Sequence, residues 1–426
     1  MANTHLFETK FSKRMQASFY NVPVYRQIVN FEERANLYDG QVVTRPRKSI
    51  FEAQDYTRGT DVSVQTITEA SESLTVDQSP VSPFSIDSLD SIQSKYNLMN
   101  EYADDSMKVL NSKMDAYILY TGASGAIDTI DDGDIGGGTA GNPFTLTTSN
   151  YINVLSKLTQ KLREQNVDIT GVMDLPEDVK KKIGIRGKVG SGFIAMSPQF
   201  AQVADEYNAQ RETSGGDNFG LNGFVRKQMS YDQFITNNSY WSGVLSLATQ
   251  PTNTDTLVIA GVTVTFVSSI GTTAGNVLIG GSVDITRASL AGLINAPTTT
   301  SATQVAVSST RSNNYTLSDA EKFGRMTATN NNTADTLTIV AKGLSYVAVS
   351  ETLTDATDGW TKLVQHNLAG RKGAIDMVIQ AEPKVEVSPI PLQLGKYVKP
   401  YCLYGGKVFN EGARQLIDVQ VNTATF

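Results

Sequence analysis

Residues 82–121, SPFSIDSLDSIQSKYNLMNEYADDSMKVLNSKMDAYILYT, carry the clearest periodic pattern in the chain. Apolar side chains recur there at spacings of three and four residues, as they do on one face of an α-helix. Ser85 and Asp87 are candidate caps at the start, and Gly122 is a candidate stop. A helix over Ile86–Thr121 would be about 50 Å long at a rise of ~1.5 Å per residue. This length predicts a spine along which other elements pack.

The segment before this helix, Gly40–Ile86, is predicted to be extended. Three short runs are rich in β-forming residues: Gln41–Thr44, Val62–Ile67 and Leu74–Val76. Proline and glycine residues separate these runs, and apolar residues are too sparse to bury the strands on both faces. An isolated two-stranded ribbon is marginal in water, so the pattern predicts a long β-hairpin that needs a partner molecule.

Charge is unevenly distributed along the first third of the chain. Residues 1–58 hold nine Lys and Arg against six Asp and Glu, whereas residues 59–150 hold three against fourteen. Two interpretations stay open: two solvated faces of one domain, or a basic arm of one copy on an acidic surface of another. The second arrangement would steer assembly and fix its register.

Four basic residues near the predicted hairpin are candidates for contacts between subunits, namely Arg45, Arg47, Lys48 and Arg58. Their side chains could bind phosphate groups or the carboxylates of a neighbouring subunit. The formal net charge of the chain is -7, which gives no global signal for nucleic-acid binding. We therefore expect these residues to form ion pairs between subunits.

The segments after the spine alternate between helix and strand. Asn150–Gln165 is predicted to be an amphipathic helix, and Gly192–Pro198 a buried strand that runs into a helix. Phe224–Ile235 is predicted to contain further strand residues. Four more strands are predicted near the C-terminus: Ala374–Ala381, Lys384–Val387, Val398–Tyr404 and Gln415–Val421.

Composition changes over residues 251–355, where only twelve of 105 residues are charged. The segment repeats itself, since Asn253–Ile259 is echoed by Asn332–Ile339. The predicted elements are strands over Val262–Val267 and Tyr346–Val349 and a helix over Ala288–Asn295. We predict an inserted, mostly-β domain that interrupts a main domain whose late strands pair with strands before the insertion.

Few residues are available for catalysis or metal binding. The chain has two histidines, His5 and His366, and one cysteine, Cys402. A Ser–His–Asp or Cys–His site would need one of these histidines, and no Gly-x-Ser-x-Gly motif occurs. His366 is predicted to lie in a helical stretch with a structural role. The number of Cys and His residues excludes structural zinc, and we expect no catalytic site, metal or cofactor.

Two loops resemble ligand-binding motifs without matching them. The acidic run Asp128–Asp134 places Ile130 where a calcium loop needs an oxygen ligand, so a solvated loop is the better interpretation. The glycine-rich run Gly184–Gly192 precedes a strand, and Val189 stands where a phosphate loop needs Ser or Thr after the lysine. We interpret it as a mobile loop.

Cysteine usage and hydropathy indicate the compartment. A single cysteine fits a protein assembled in a reducing environment. Charged residues interrupt the N-terminal stretch, which therefore does not read as a signal peptide, and no run approaches the roughly 18 apolar residues of a membrane span. We expect a protein made and folded in a cytoplasm, without membrane contact.

The order of these elements resembles the major capsid proteins of tailed phages, whose α+β fold is named after phage Hong Kong 97. Three local patterns carry the resemblance: Ser82–Asp87 before the spine, Phe193–Pro198, and Ala369–Asp376. The resemblance implies an N-terminal arm (1–39), an extended β-hairpin loop (40–86), a peripheral domain with the spine helix (87–143), an axial domain (144–250), the inserted mostly-β domain (251–355) and a return to the peripheral and axial core (356–426).

The resemblance implies a subunit that self-assembles into hexamers and pentamers of an icosahedral phage head around double-stranded DNA. It also implies a portal partner, scaffolding or decoration proteins, weak non-specific contact with packaged DNA, and a virion location after assembly in the host bacterial cytoplasm. Some relatives form Lys–Asn cross-links, but no matching residues are found here. An encapsulin-like nanocompartment shell is the second interpretation, and a β-rich surface adhesin or tail protein belongs to a different class. An enzyme ranks below all of these.

Overall fold

The computed structural model describes residues 21–37, 40–47, 53–66, 70–93, 98–167, 169, 192–209, 226–228, 231–270, 273, 275–295, 299–301, 304–305, 322–391 and 393–423. They fall into two compact units. Unit 1 takes its described residues from Met1–Asn21, Phe31–Ser112 and Asp376–Lys407, and unit 2 from Val22–Asn30, Lys113–Ile375 and Val408–Phe426.

The α-helices are α1 (Tyr25–Ile28), α2 (Ser88–Gln93), α3 (Leu98–Gly125), α4 (Asp132–Ile135), α5 (Tyr151–Glu164), α6 (Pro198–Ala209), α7 (Val283–Asn295) and α8 (Asn410–Ala413). A 3-10 helix spans Glu32–Ala35. The strands are β1 (Val29–Asn30), β2 (Val42–Arg47), β3 (Ala70–Thr75), β4 (Phe84–Asp87), β5 (Asp128–Ile130), β6 (Gly192–Met196), β7 (Arg226–Gln228), β8 (Tyr231–Ile235), β9 (Tyr240–Ser246), β10 (Thr256–Ile259), β11 (Val262–Val267), β12 (Asn276–Leu278), β13 (Thr299–Ser301), β14 (Gln304–Val305), β15 (Met326–Asn331), β16 (Thr336–Ala341), β17 (Val349–Glu351), β18 (Gly359–Arg371), β19 (Ile375–Pro389), β20 (Gly395–Lys407) and β21 (Leu416–Asn422).

Unit 1 contains the predicted extended hairpin. Strands β2 and β3 pair antiparallel, with Val42 opposite Thr75 and Arg47 opposite Ala70. The strand predicted at Val62–Ile67 is wrong over its described part, because residues 62–66 form no strand. The hairpin therefore has two paired strands at its base, and residues 53–66 of the connection between them form no helix or strand.

A second sheet of unit 1 is built from β19, β20 and β4, where β20 pairs with both of the others. The sequence predicted two separate strands at Ala374–Ala381 and Lys384–Val387. They form one long strand whose pairing with β20 shifts register between Ile379 and Lys384. Such shifts bend a strand without ending it, which is why the two apolar runs looked separate.

The spine is not one helix from Ile86 to Thr121, as the periodicity predicted. Residues 84–87 form β4, because they pair with β20 from Phe84 opposite Val398 to Asp87 opposite Gly395. Helix α2 begins at Ser88, and residues 94–97 lie outside the described residues. Helix α3 continues past the predicted stop at Gly122 to Gly125.

Gly122 serves packing and not helix termination. A Cβ at this position would collide with the side chains of Leu368 and Ile375, which lie against the helix. The glycine thus allows the last turns of α3 to approach the sheet of unit 2 closely. The prediction that Gly122 ends the helix is therefore wrong, since α3 continues through it.

Unit 2 is organised around a nine-stranded sheet. One path runs β15-β16-β9-β18-β6-β8-β7, and β21 pairs with β18 and with β5. The long strand β18 is the hub, because β9 and β6 pair with it at successive stretches and β21 pairs along Val364–Gly370. The predicted pairing of late strands with strands before residue 251 is observed in this sheet.

Two hydrophobic cores lie in unit 2. One collects buried side chains of α5, α6, β6 and β21, including Leu158, Phe200 and Ile194. The other collects buried side chains around Trp241, from β9, the strands β10–β12, α7 and β15–β16. The helices predicted at Asn150–Gln165 and after Met196 are confirmed as α5 and α6.

The segment predicted as an inserted domain, residues 251–355, is not confirmed as an independent domain. Strands β10, β11, β12 and β17 form a small four-stranded sheet, and α7 confirms the predicted helix. Strands β15 and β16, however, extend the main sheet through the pairing of β16 with β9. The predicted strand at Tyr346–Val349 is displaced to Val349–Glu351.

Candidate assembly surface

Arg45, the first of the four predicted contact residues, is paired within its own unit. Its guanidinium forms ion pairs with Glu33 and with Asp376, the latter at 3.3 Å. The Asp376 side chain is 2% exposed and the Glu33 side chain is 12% exposed. This cluster joins the base of the hairpin to β19, so Arg45 serves the subunit's internal structure.

The charge on Arg45 is stabilised by these partners. Burial lowers the pKa of Arg45, but the hydrogen bonds and charges of Glu33 and Asp376 outweigh it and leave the pKa above its ordinary value. Two carboxylates around one guanidinium satisfy several of its five donors. Removal of this arginine would leave the buried Asp376 carboxylate without one of its partners.

Of the other three predicted contact residues, the two that the structure describes are exposed. Arg47 ends β2 and is exposed. Arg58 is exposed in a turn closed by the hydrogen bond from the Thr60 N–H to the Thr57 carbonyl. Lys48 lies outside the described residues. The sequence prediction treated the four as one group, and the structure separates Arg45 from the two exposed arginines.

The hairpin exposes large apolar side chains. Val42 lies on β2, and Tyr56, Val62 and Val64 lie on the connection; Val64 is 92% exposed. The base of the hairpin is well packed by contrast, since Leu74 is fully buried. A Cβ on Gly405 of β20 would overlap the carbonyl oxygen of Thr75, so β3 and β20 approach closely. The hairpin is anchored at its base and uncovered toward its tip.

The acidic loop at residues 128–134 is used internally. Asp128 and Asp134 form ion pairs with Lys161 at 3.0 and 2.7 Å. The Asp131 carboxylate accepts hydrogen bonds from the backbone N–H groups of Gly133 and Gly141.

Within the described part of the chain, no group of three or more His, Cys, Asp or Glu residues could hold a metal ion. The glycine-rich run from Gly184 to Ser191 and the histidine His5 lie outside the described residues.

His366 lies in strand β18 and not in a helix, which corrects the sequence prediction. Its Nδ1 lies 2.7 Å from Asp418 Oδ2, and its Nε2 lies 2.9 Å from Ser242 Oγ. The Tyr240 ring stacks on the imidazole at 3.8 Å between centroids. The three polar residues form a row across β9, β18 and β21 on one face of the main sheet.

Sequence reasoning could not assemble this row. Ser242, His366 and Asp418 lie far apart in the chain, and only the register of three strands brings them together. The only available signal was the alternation of polar and apolar residues in each strand, which predicts a face but no neighbours. Cys402, the other reactive residue noted in the sequence, is buried in β20.

The N-terminal segment of unit 2 is fixed by a buried carboxylate. Asp115 of α3 is fully buried and accepts hydrogen bonds from the N–H groups of Val24 and Tyr25. Asn238 donates to its other oxygen at 2.8 Å. Burial raises the pKa of Asp115 to about 6, against the opposing effect of these donors.

No helix among the described residues is both long and apolar enough to cross a membrane.

Comparison with solved structures identifies this architecture. A structure from Mycobacterium phage Che8 matches with a TM-score of 0.52 and 13% identity, over 98% of each chain. The capsid structure of the cyanophage P-SCSP1u matches with a TM-score of 0.50 and 11% identity, over 97% of this chain and 92% of the other. The chain has the Hong Kong 97-type capsid fold. No family model matches the sequence, and a search of curated proteins finds no match.

The capsid fold accounts for the order of elements in the chain. The resemblance drawn from the sequence is confirmed for the fold. The match spans nearly the whole length of both chains, so residues 251–355 do not disrupt it. At 11–13% identity the likeness is one of fold.

Proposed function

We propose that the chain is the major capsid protein of a tailed bacteriophage, which self-assembles into hexamers and pentamers of an icosahedral head around double-stranded DNA. The observation that carries this proposal is the capsid fold over nearly the whole chain. The exposed hairpin supports it independently. The proposed role is structural, and it requires neither a catalytic site nor a cofactor.

The hairpin is the element best suited to bind another copy. Residues 53–66 form no helix or strand and bury little of themselves, yet they carry Tyr56, Val62 and Val64. Exposed apolar side chains in one segment mark interaction sites in soluble proteins. A neighbouring subunit that covers this segment would bury the apolar surface that its own unit leaves in water, and many such contacts would add up over a shell.

The charge pattern supplies the orientation of this contact. Arg47 and Arg58 are exposed near the hairpin, and residues 59–150 are strongly acidic overall. Opposite charges on two surfaces raise the association rate and select one register. Arg47 and Arg58, and Lys48 between them in sequence, are proposed to face carboxylates of a neighbour, while Arg45 keeps its internal partners.

The proposed partners follow from the proposed role. They are many copies of the chain itself, a portal, scaffolding or decoration proteins, and packaged DNA held by weak non-specific contact. The proposed location is the virion capsid, after assembly in the cytoplasm of a bacterial host. An encapsulin-like shell around a protein cargo is the competing role, because such shells share the fold.

Negative-stain microscopy tests the proposal. The chain is expressed alone and together with the products of neighbouring genes. Closed shells or hexameric rings tens of nanometres across are expected. Nucleic acid inside the shells supports a phage head, and a protein cargo supports the encapsulin alternative. A stable monomer under both conditions would contradict a shell-forming role.

A further inference from the structure

Ser242, His366 and Asp418 are connected as in a nucleophilic triad. Ser242 Oγ lies 2.9 Å from His366 Nε2, and His366 Nδ1 lies 2.7 Å from Asp418 Oδ2. Each imidazole nitrogen thus has the partner that it has in the serine triads of unrelated folds: the serine hydroxyl on one side and a carboxylate on the other. Residues with this connectivity are recognised by geometry and not by sequence order.

The partners of Asp418 fix the roles of the two imidazole nitrogens. An ionised carboxylate can only accept hydrogen bonds, and Oδ2 already accepts one from Gln420 Nε2 at 3.1 Å. The proton therefore resides on His366 Nδ1, which donates to Asp418. The lone pair of Nε2 then faces the hydroxyl of Ser242, which donates to it. This is the tautomer that a general base requires.

The three side chains are graded in exposure. The His366 side chain is 8% exposed and the Asp418 side chain 3%, whereas Ser242 is partly exposed on the same sheet face. The serine is thus the most accessible of the three to a reagent in solvent, while the base and the carboxylate are more shielded from water. Shielding strengthens the electrostatic coupling between the last two.

The surroundings keep the imidazole in place. Tyr240 stacks on one face of the ring with planes 10° apart. Burial, together with the charge of Asp418, raises the pKa of the Tyr240 phenol above its usual range, so this ring stays neutral.

We propose that Ser242 is an activated nucleophile and a covalent modification site for activated carboxylic esters. The Ser242 oxygen attacks the ester carbonyl carbon, and its proton passes to His366 Nε2. The bond from that carbon to the leaving oxygen then breaks, and the alcohol or phenol departs with the proton from His366. The products are O-acyl-Ser242 and the free alcohol. Asp418 is a positioning residue that holds the imidazole tautomer.

The strand geometry predicts one acylation per chain and not fast turnover. Ser242 is paired on both sides, opposite Val340 of β16 and opposite Val364 of β18. Its backbone is committed to the sheet, so it cannot supply the N–H donor that an oxyanion hole takes from near the nucleophile. General-base assistance alone contributes about 10²–10⁴-fold. The expected chemistry is therefore a slow, stoichiometric acylation.

Mass spectrometry of the intact full-length chain tests this proposal. The protein is incubated with p-nitrophenyl acetate and, separately, with a biotin-tagged fluorophosphonate, and the modified residue is mapped on peptides. One acetyl or phosphonyl group at Ser242 is expected, and acetylation should release nitrophenol slowly, up to one equivalent per chain. Modification spread over several serines at equal rates would overturn the proposal.

Matched variants separate activation from folding. Ser246→Ala changes a serine on the same strand and face, whose partners are Thr336 and Gly359, and should leave labelling unchanged. Ser242→Ala should abolish labelling, and His366→Gln should slow it at least about 10²-fold. Thermal unfolding of each variant is measured in parallel. Labelling of His366→Gln at the wild-type rate would overturn the proposal whatever the stability.

Asp418→Asn tests the positioning role. With asparagine at this position the side-chain amide can donate to His366 Nδ1, so the imidazole can adopt the other tautomer and the labelling rate at a fixed pH should fall. The nitrogen NMR spectrum of the imidazole reports which ring nitrogen carries the proton. An unchanged labelling rate or an unchanged tautomer in Asp418→Asn would overturn the assignment.

Discussion

Asp115 Oδ1 accepts the backbone N–H of Tyr25 at 2.7 Å, although ninety positions separate the two residues in the chain. The same oxygen accepts the N–H of Val24, and the other oxygen accepts hydrogen bonds from Asn238 and Thr236. One buried carboxylate of α3 thus satisfies the free N–H groups at the start of α1. It ties the N-terminal segment of unit 2 to the spine helix.

Replacement of Asp115 by alanine should release this segment. The change leaves the N–H groups of Val24 and Tyr25 and the amide of Asn238 buried without an acceptor, at a cost of about 2–4 kcal/mol. Hydrogen exchange at Val24 and Tyr25 should accelerate more than exchange in β18. Asp115→Asn keeps one acceptor oxygen for the two N–H groups, so it should lose less stability than Asp115→Ala. Equal exchange rates in the wild type and the alanine variant would refute the anchoring role.

Stability should depend on pH through Asp115. Its pKa is raised to about 6 in the folded chain, from 3.8 as the ordinary value. A raised folded pKa gives a stabilising contribution that is full below the unfolded pKa and is lost as pH rises through about 6. Relative to Asp115→Asn, the wild type should lose on the order of 2–3 kcal/mol of unfolding free energy between about pH 4 and pH 7. Denaturant unfolding of both proteins is measured at each pH, so that the contributions of the other carboxylates, which the two proteins share, cancel in the difference. Parallel curves of unfolding free energy against pH would contradict the assignment.

Local pattern predicted local structure well. The apolar spacing of residues 151–162 is enough to define α5, because a helix face is set by neighbours three and four positions away. The same logic failed at Ile86, where pairing with Lys396 of β20 took the residue into a strand. A partner three hundred positions away overrode a helix pattern, and no local signal could announce it.

The polar sites were beyond prediction for a related reason. The periodicity of the spine assigns no role to Asp115, because its hydrogen-bond donors, Val24, Tyr25 and Asn238, come from distant segments. Arg45 was grouped with exposed basic residues, and only the fold brings Asp376 to it. Residue type indicates which chemistry a side chain can perform, whereas its partners are decided by tertiary register.

Asn295 should protect an edge of the main sheet. Its side chain donates to the Ala328 carbonyl and accepts from the Ala328 N–H, each at 2.7 Å, as a neighbouring strand would. Loss of both bonds in Asn295→Ala should cost about 1–3 kcal/mol and leave edge groups open to other chains. Light scattering on heating should show earlier aggregation. Asn295→Asp can accept but not donate, so it should be no more stable than the alanine variant; wild-type behaviour of both would refute the role.

Gly405 should determine how closely β3 of the hairpin packs against β20. A Cβ at this position would overlap the Thr75 carbonyl, so Gly405→Ala must displace β3 from β20. Hydrogen exchange at Val76 should rise, and any shells formed by the chain should be fewer or malformed. Gly281→Ala is the matched control, because nothing lies within 4 Å of a Cβ built there. Comparable effects of the two substitutions would show that the close approach is unimportant.

Arg45 and Arg58 should affect different steps. Arg45→Ala leaves the Asp376 carboxylate, 2% exposed, without one of its partners, so the isolated subunit should lose roughly 1–3 kcal/mol of stability. Arg58→Glu changes an exposed turn and should leave the unfolding of the subunit within about 0.5 kcal/mol of wild type. If Arg58 faces carboxylates of a neighbour, its reversal should slow shell formation, followed by light scattering, and the effect should shrink at high salt. Lys113→Glu, an exposed reversal on α3, is the control for net charge. Equal slowing by both reversals would assign the effect to overall charge and not to the hairpin.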